Sequence, residues 1–243
     1  LASCLGLIRF LQNIHQAIFQ RRFLFLFLAL LLPYLIHPLI ATEVVGIAVL
    51  DLAFSLVLIM GIFAVSERKH LAITALGIVL LAQALTWTSH AVSNHVLILT
   101  GTAVNCIYLI YTASLLLEHV IRSRSPTTNT IFAALCIYLL LGFIWAFLYT
   151  FIQDLDPTSF WFNPQLFTYT PQSKHLSSDL YYFIYFSFTT LTTLGYGDIM
   201  PGSHWSRMVT SMEAVLGQLY LVVMVTYLIG LHITERGHNA SSK

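Results

Sequence analysis

The feature that most constrains this chain is a succession of apolar runs, each about long enough to cross a lipid bilayer. They occupy residues 23–40, 44–65, 71–88, 96–117, 131–152 and 208–231. At ~1.5 Å of rise per residue, about 20 residues cover the ~30 Å hydrocarbon core. In lipid a segment must satisfy its own backbone polar groups, and the helix is the one open-ended element that does so. Six transmembrane helices are therefore expected, the third diluted by Gln83, Thr86 and Thr88. Composition agrees: 58% of the 243 residues are hydrophobic and only 9% charged, against roughly 25% charged in a soluble domain. Polar side chains this few cannot cover the surface in water, which excludes a soluble enzyme, a disordered chain and a coiled coil. A net charge of +1 gives no electrostatic drive toward nucleic acid.

Basic residues orient the helices. Arg9, Arg21, Arg22, Arg68, Lys69, Arg122, Arg124, Arg236 and Lys243 fall on one side of the expected membrane, and only Lys174 and Arg207 on the other. The positive-inside rule places the nine in the cytoplasm. Both termini then lie inside, as an even number of spans requires. The expected domains are an N-terminal cytoplasmic or interfacial segment (1–22), a four-helix transmembrane domain (23–120), a second membrane domain (131–231) and a short cytoplasmic tail (232–243). Leu5, Ile8, Leu11, Ile14 and Ile18 recur at helical spacing in the first of these. Cys4, Cys106 and Cys136 are scattered, with no metal or disulfide pattern.

Within 131–231 the run 180–191 is apolar but too short to cross. It leads into Thr189-Thr190-Leu191-Thr192-Thr193-Leu194-Gly195-Tyr196-Gly197-Asp198. Glycine-rich polar backbone at membrane depth is tolerated only inside protein or beside water. A helix that enters and turns back (180–191), then an extended strand, fits this pattern. Thr193-Leu194-Gly195-Tyr196-Gly197 resembles the TVGYG selectivity filter of potassium channels. The resemblance covers 131–231, with an outer helix 131–152, an extracytoplasmic loop 153–179, a pore helix 180–191, a filter 193–198 and an inner helix 208–231. The expected fold is thus an all-α membrane protein: six transmembrane helices plus a re-entrant pore helix and filter, of tetrameric channel architecture.

What the resemblance implies is specific. The carbonyls of Thr193, Leu194, Gly195 and Tyr196, with the Thr193 hydroxyl, would bind dehydrated K⁺. Potassium ions in the filter would be the only cofactor. One strand supplies one side of a ring, so a homotetramer in the bilayer is expected. Gly195 and Gly197 allow the positive φ that such a strand needs. Tyr196 would brace the strand against the pore helix, and the C-terminal end of that helix would aim at an axial cavity. Thr189, Thr192, Tyr185, Phe186 and Asp198 would support the filter. Gly217, 19 residues after Asp198, matches the family's inner-helix hinge; Gln218, Leu221 and Val225 would line the cavity. The stretch from Arg207 to Gly230 resembles bacterial channels, so a bacterial inner membrane is expected.

Departures from the family leave a second reading open. Some relatives carry Trp at the place of Phe186, whose N–H bonds the aspartate at the place of Asp198, and Glu at the place of Thr189. Phe186 cannot donate and Thr189 is neutral. If these changes loosen the filter, a weakly selective monovalent cation channel results. A different class, the Gly-x-Gly-Asp intramembrane aspartyl proteases, is matched formally by Gly195-Tyr196-Gly197-Asp198 with Asp51 as second carboxylate. Its context fails: Asp51 follows Leu50, no Pro-Ala-Leu string exists, and Asp198 is not mid-span. No catalytic group is expected.

Two carboxylates lie inside runs, Asp51 and Glu213. Such residues are functional by default. Asp51 is expected to make a structural polar contact, and Glu213 to be a hydrogen-bonded strut behind the pore helix or a proton-sensitive gate element. The fourth run, 96–117, holds no Lys, Arg, Asp or Glu. Arg122 and Arg124 are expected beyond its end, with Pro126 arguing against a helix that carries them into the field. Steep voltage gating is therefore not expected. The sequence does not identify a regulatory ligand or partner.

Overall fold

The computed structural model describes residues 22–36, 43–65, 69–92, 94–123, 127–165 and 176–241. The expectations on 1–21, Arg68, Arg124, Pro126, Lys174, Lys243 and the side chain of Asp51 lie outside the described residues. The helices are α1 (Arg22–Ile36), α2 (Glu43–Val65), α3 (Lys69–Val92), α4 (His95–Arg122), α5 (Thr128–Leu155), α6 (Leu176–Leu191) and α7 (His204–Ser241). Two short strands, β1 (Phe160–Phe162) and β2 (Ile199–Pro201), pair antiparallel, with Phe160 opposite Pro201 and Phe162 opposite Ile199.

Among the described residues, four helices are long and apolar enough to cross a membrane: α3 over His70–Thr88, α4, α5, and α7 over His204–Ile233. Helix α1 has 15 residues, or ~22 Å at helical rise, short of the ~30 Å core. The boundaries differ from the sequence expectation in three places. Helix α4 continues through Arg122, where Ser123 caps it; the Arg122 guanidinium stays in the last turn by pairing with Glu118 at 3.0 Å. The pore helix starts at Leu176, not Leu180. The expected separate tail is instead a continuation of the inner helix: α7 runs 38 residues without a break. At ~1.5 Å per residue that is ~57 Å, well beyond the bilayer core.

Helix α5 is the hub. Helices α1 and α4 both pack along it, α2 packs on α1, and α3 on α4. Its start is set by Thr127, whose side chain accepts from the Thr130 N–H, and α4 starts likewise at Asn94. Two of the polar residues that dilute the third run bond between helices: Gln83 donates to Ser55, and Thr86 accepts from Asn105 Nδ2 at 3.4 Å; the Thr88 hydroxyl stays within its own helix, on the Ala84 carbonyl. Such bonds join helices where lipid gives no hydrophobic drive for association. Tyr108 donates to the Leu58 carbonyl at 2.6 Å, and Gly61 leaves room for it, since a Cβ there would lie 2.5 Å from the phenol oxygen. The connection from α4 to α5 is only residues 123–127, so the four-helix domain and the outer helix of one chain stay side by side. Tyr227 of α7 closes the arrangement by donating to the Ile121 carbonyl at 2.9 Å, at the end of α4.

Candidate ion-conduction site

The site is built where α6 ends. Leu191 is fully buried and closes the helix; the chain then turns at Thr192 and Thr193. Four successive N–H groups turn back onto carbonyls of the last helical turn. Thr192 donates to Phe188 at 3.1 Å, Thr193 to Thr190 at 2.9 Å, and Leu194 and Gly195 both to Thr189 at 2.8 and 3.1 Å. These carbonyls would otherwise lack partners at a helix end. They hold the segment that follows the helix.

Backbone torsions alternate along the strand. Thr193, Gly195 and Gly197 have φ of +60°, +53° and +76°, while Leu194 and Tyr196 between them do not have positive φ. Positive φ is free for glycine and costs Thr193 strain. The N–H groups of Thr193, Leu194 and Gly195 are committed to α6, and no hydrogen bond among the described residues reaches the carbonyls of Thr193, Leu194, Gly195 or Tyr196. Residues 192–197 are exposed on this single chain. The result is a short strand with one edge anchored and a row of unpaired carbonyl acceptors.

Supporting groups divide into those the structure brings to the strand and those it does not. Tyr185 Oη donates to Asp198 Oδ2 at 2.6 Å, and the Tyr185 and Tyr196 rings lie parallel, 6.5 Å apart. The other Asp198 oxygen accepts from the Ile199 N–H at 3.0 Å. Thr189 is buried with its hydroxyl on the Phe186 carbonyl, and the Thr192 hydroxyl donates to Phe188. Phe186 points elsewhere: its ring sits against Tyr149 and Phe160. The donor for Asp198 is thus Tyr185, one residue before Phe186.

The outer end of the strand is tied to the loop that follows α5. Beyond the β1–β2 ladder, Asn163 N–H donates to the Asp198 carbonyl at 2.9 Å and Gly202 N–H to Ser159 at 2.8 Å. Gln153 braces the turn through Phe160 N–H and the Pro157 carbonyl. Asp156 accepts from the Thr158 hydroxyl and N–H and from Ser159. The Thr158 hydroxyl, then its N–H, keep the Asp156 carboxyl below its ordinary pKa.

Helix α7 presents two faces. Ser206, Glu213, Gly217 and Met224 are buried against the rest of the chain, while Gln218, Leu221 and Val225 are exposed. A Cβ on Gly217 would lie 2.6 Å from Leu191 Cδ1 and 3.1 Å from the Leu191 carbonyl, so this glycine is a contact point with the end of α6. Gly142 of α5 plays the same part, where a Cβ would lie 2.7 Å from the Phe188 ring. Glu213 is fully buried, in contact with Tyr149 of α5 and Ser187 of α6. Sequence reasoning passed over Tyr149, Ser187 and Gly142; a lone serine in the apolar run before the filter was the available signal. Among the described residues no cluster of His, Cys, Asp or Glu could hold a metal ion.

Helices long and apolar enough to cross a membrane, beside the shorter apolar helix α6 and the carbonyl-bearing segment after it, have the parts of a helical membrane channel. Residues 127–232 match the family model described as Ion channel. That match supports an ion channel family and a pore-forming role for this segment, and points to transport rather than enzymatic chemistry. No curated protein and no solved structure matches the chain.

Proposed function

We propose that this chain is the pore-forming subunit of a potassium-selective channel, a homotetramer that passes K⁺ down its gradient without steep voltage gating. The observation that carries the reading is the strand at Thr193, Leu194, Gly195, Tyr196 and Gly197. Its φ values alternate, the N–H groups of Thr193, Leu194 and Gly195 bond to α6, and no hydrogen bond among the described residues reaches the carbonyls of Thr193, Leu194, Gly195 or Tyr196. A cation that sheds its water shell needs such a stack of oxygens. One strand offers them on one side, and four strands around an axis complete the ring. Main-chain groups at membrane depth also need that closure, since lipid offers them no partner. Gln218, Leu221 and Val225, exposed on α7, would then line the cavity beneath. The Tyr185–Asp198 bond favours this reading over a weakly selective pore, because it supplies the donor that Phe186 lacks. Six spans, with both termini in the cytoplasm of a bacterial inner membrane, complete the proposal.

The test is flux. Purified protein in liposomes, given opposed K⁺ or Na⁺ gradients and a potential-sensitive dye, should discharge the K⁺ gradient and leave the Na⁺ gradient standing. Equal discharge of both would replace this reading with the weakly selective one, and no discharge of either would remove it.

A further inference from the structure

Where α5, α6 and α7 meet, four oxygen-bearing groups stand in line. Tyr149 Oη contacts Glu213 Oε2. Glu213 Oε1 lies 2.5 Å from Ser187 Oγ, and the same Oγ lies 2.7 Å from the Gly142 carbonyl. Tyr149, Ser187 and Glu213 are all completely buried. Each of the three contacts is at hydrogen-bond distance and needs one proton between its oxygens. A carbonyl brings none, while a phenol and a serine hydroxyl bring one each. Two protons cannot fill three contacts, so the third must sit on the carboxyl.

We propose that Glu213 is held as a neutral acid, the middle donor of a one-way hydrogen-bond chain that fixes the pore helix to both flanking helices. Tyr149 donates to Oε2, Glu213 donates from Oε1 to Ser187, and Ser187 donates to Gly142. With an ionised Glu213, Ser187 has one proton for two acceptors, and the contact left over sets lone pairs against each other. The surroundings agree. A buried carboxylate is costly unless paired, and no ion pair to Glu213 occurs among the described residues. The titratable side chains that face it are Tyr149 and Tyr138 of α5, neither of them cationic. Ser187 immediately precedes Phe188, whose carbonyl holds Thr192, so the chain fixes the helix end that anchors the strand. As a positioning residue for conduction, Glu213 depends on the filter reading above. Its protonation state does not.

Difference infrared spectroscopy on the purified protein reads that state directly. Wild type minus Glu213→Gln should show the carbonyl stretch of a protonated carboxylic acid and no carboxylate pair. Ser187→Ala, which removes the acceptor, should shift that band to higher frequency. Function gives a second readout, because glutamine can donate to Ser187 and accept from Tyr149, as the neutral acid does. Glu213→Gln should change thermal stability and flux by no more than about twofold, as expected where every bond is kept. Glu213→Ala should lower flux by roughly fivefold or more, the scale of one unmet buried polar group. A carboxylate pair in the difference spectrum overturns the inference, and so does a glutamine variant as impaired as the alanine variant. If the acid band is present but K⁺ does not pass, the filter reading fails alone; if K⁺ passes and the band is absent, this inference fails alone.

Discussion

Gly195 and Gly197 sit at φ of +53° and +76° with nothing within 4 Å of where a Cβ would stand. The penalty for a side chain there comes from the backbone itself, not from crowding. It is ~1–2 kcal/mol per residue, and in the proposed tetramer four copies raise it to about 4–8 kcal/mol. Gly195→Ala should therefore abolish K⁺ flux while leaving monomer folding intact, checked by liposome flux beside circular dichroism. Flux with unchanged selectivity would remove the filter assignment. Tyr185→Phe removes the bond to Asp198, worth ~1.5–3 kcal/mol for a charged acceptor. Current should decay faster under steady stimulation in that variant, and unchanged decay would show that the bond does not hold the filter open. The glycines could be read from sequence because their torsional freedom is intrinsic to the residue type. Which of two neighbouring aromatics, Tyr185 or Phe186, faces Asp198 depends on the rotation of α6, which spacing alone did not fix.

Among elements, α6 and α7 meet closely at Gly217. A Cβ at Gly217 would press on Leu191, both on its side chain and on its carbonyl. Gly217→Ala should destabilise the protein by ~1–3 kcal/mol, the usual cost of overpacking. Leu191→Ala should open a cavity at a cost of ~2–5 kcal/mol. The double variant should lose less than the sum, because each change relieves the other, and thermal melts of all four proteins would measure that coupling. Strict additivity would argue for the hinge role the family resemblance suggested in place of a contact role. Helix α4 carries its own expectation. Its last turn holds Arg122 paired with Glu118, and residues 96–117 hold no charge. A charge crossing the whole field gains only ~2.3 kcal/mol per 100 mV, and steep gating needs several. Patch recordings across about ±100 mV should show a shallow change in open probability; a steep sigmoid would refute the expectation. The absence of charge was plain in the sequence. The extension of α4 to Arg122 was not, because a capping serine and an ion pair one turn back decided it.

For the whole molecule, the short link at residues 123–127 and the Tyr227 bond to the end of α4 keep the four-helix domain on its own chain's pore segment. Cys106 of α4 lies beside Ile144 of α5, its sulfur 3.9 Å from the Ile144 carbonyl. Ile144→Cys, joined to Cys106 by a short bifunctional thiol reagent, should therefore cross-link within one chain and run at monomer mass on a denaturing gel. A ladder of dimers to tetramers would mean that the domain rests on a neighbour instead. The order of apolar runs was legible because lipid imposes length and composition on any spanning helix. Which helices touch was not, since small residues and single polar bonds such as Gln83–Ser55 choose the partners and leave no periodic mark.

The pairing of Asn163 with Asp198, continued by the β1–β2 ladder, has a consequence for how this segment can vary. The chain departs from α5, passes through α6 and residues 192–197, and comes back beside β1. Both ends of that excursion are clasped to each other, so the entropy of closing it falls on the clasp and not on residues 192–197. Doubling the length of a flexible loop costs only about 0.6 kcal/mol once its ends are joined. Extra residues between Asn163 and α6 would therefore alter what the outer face of the protein displays without changing the frame in which Thr193, Gly195 and Gly197 are held.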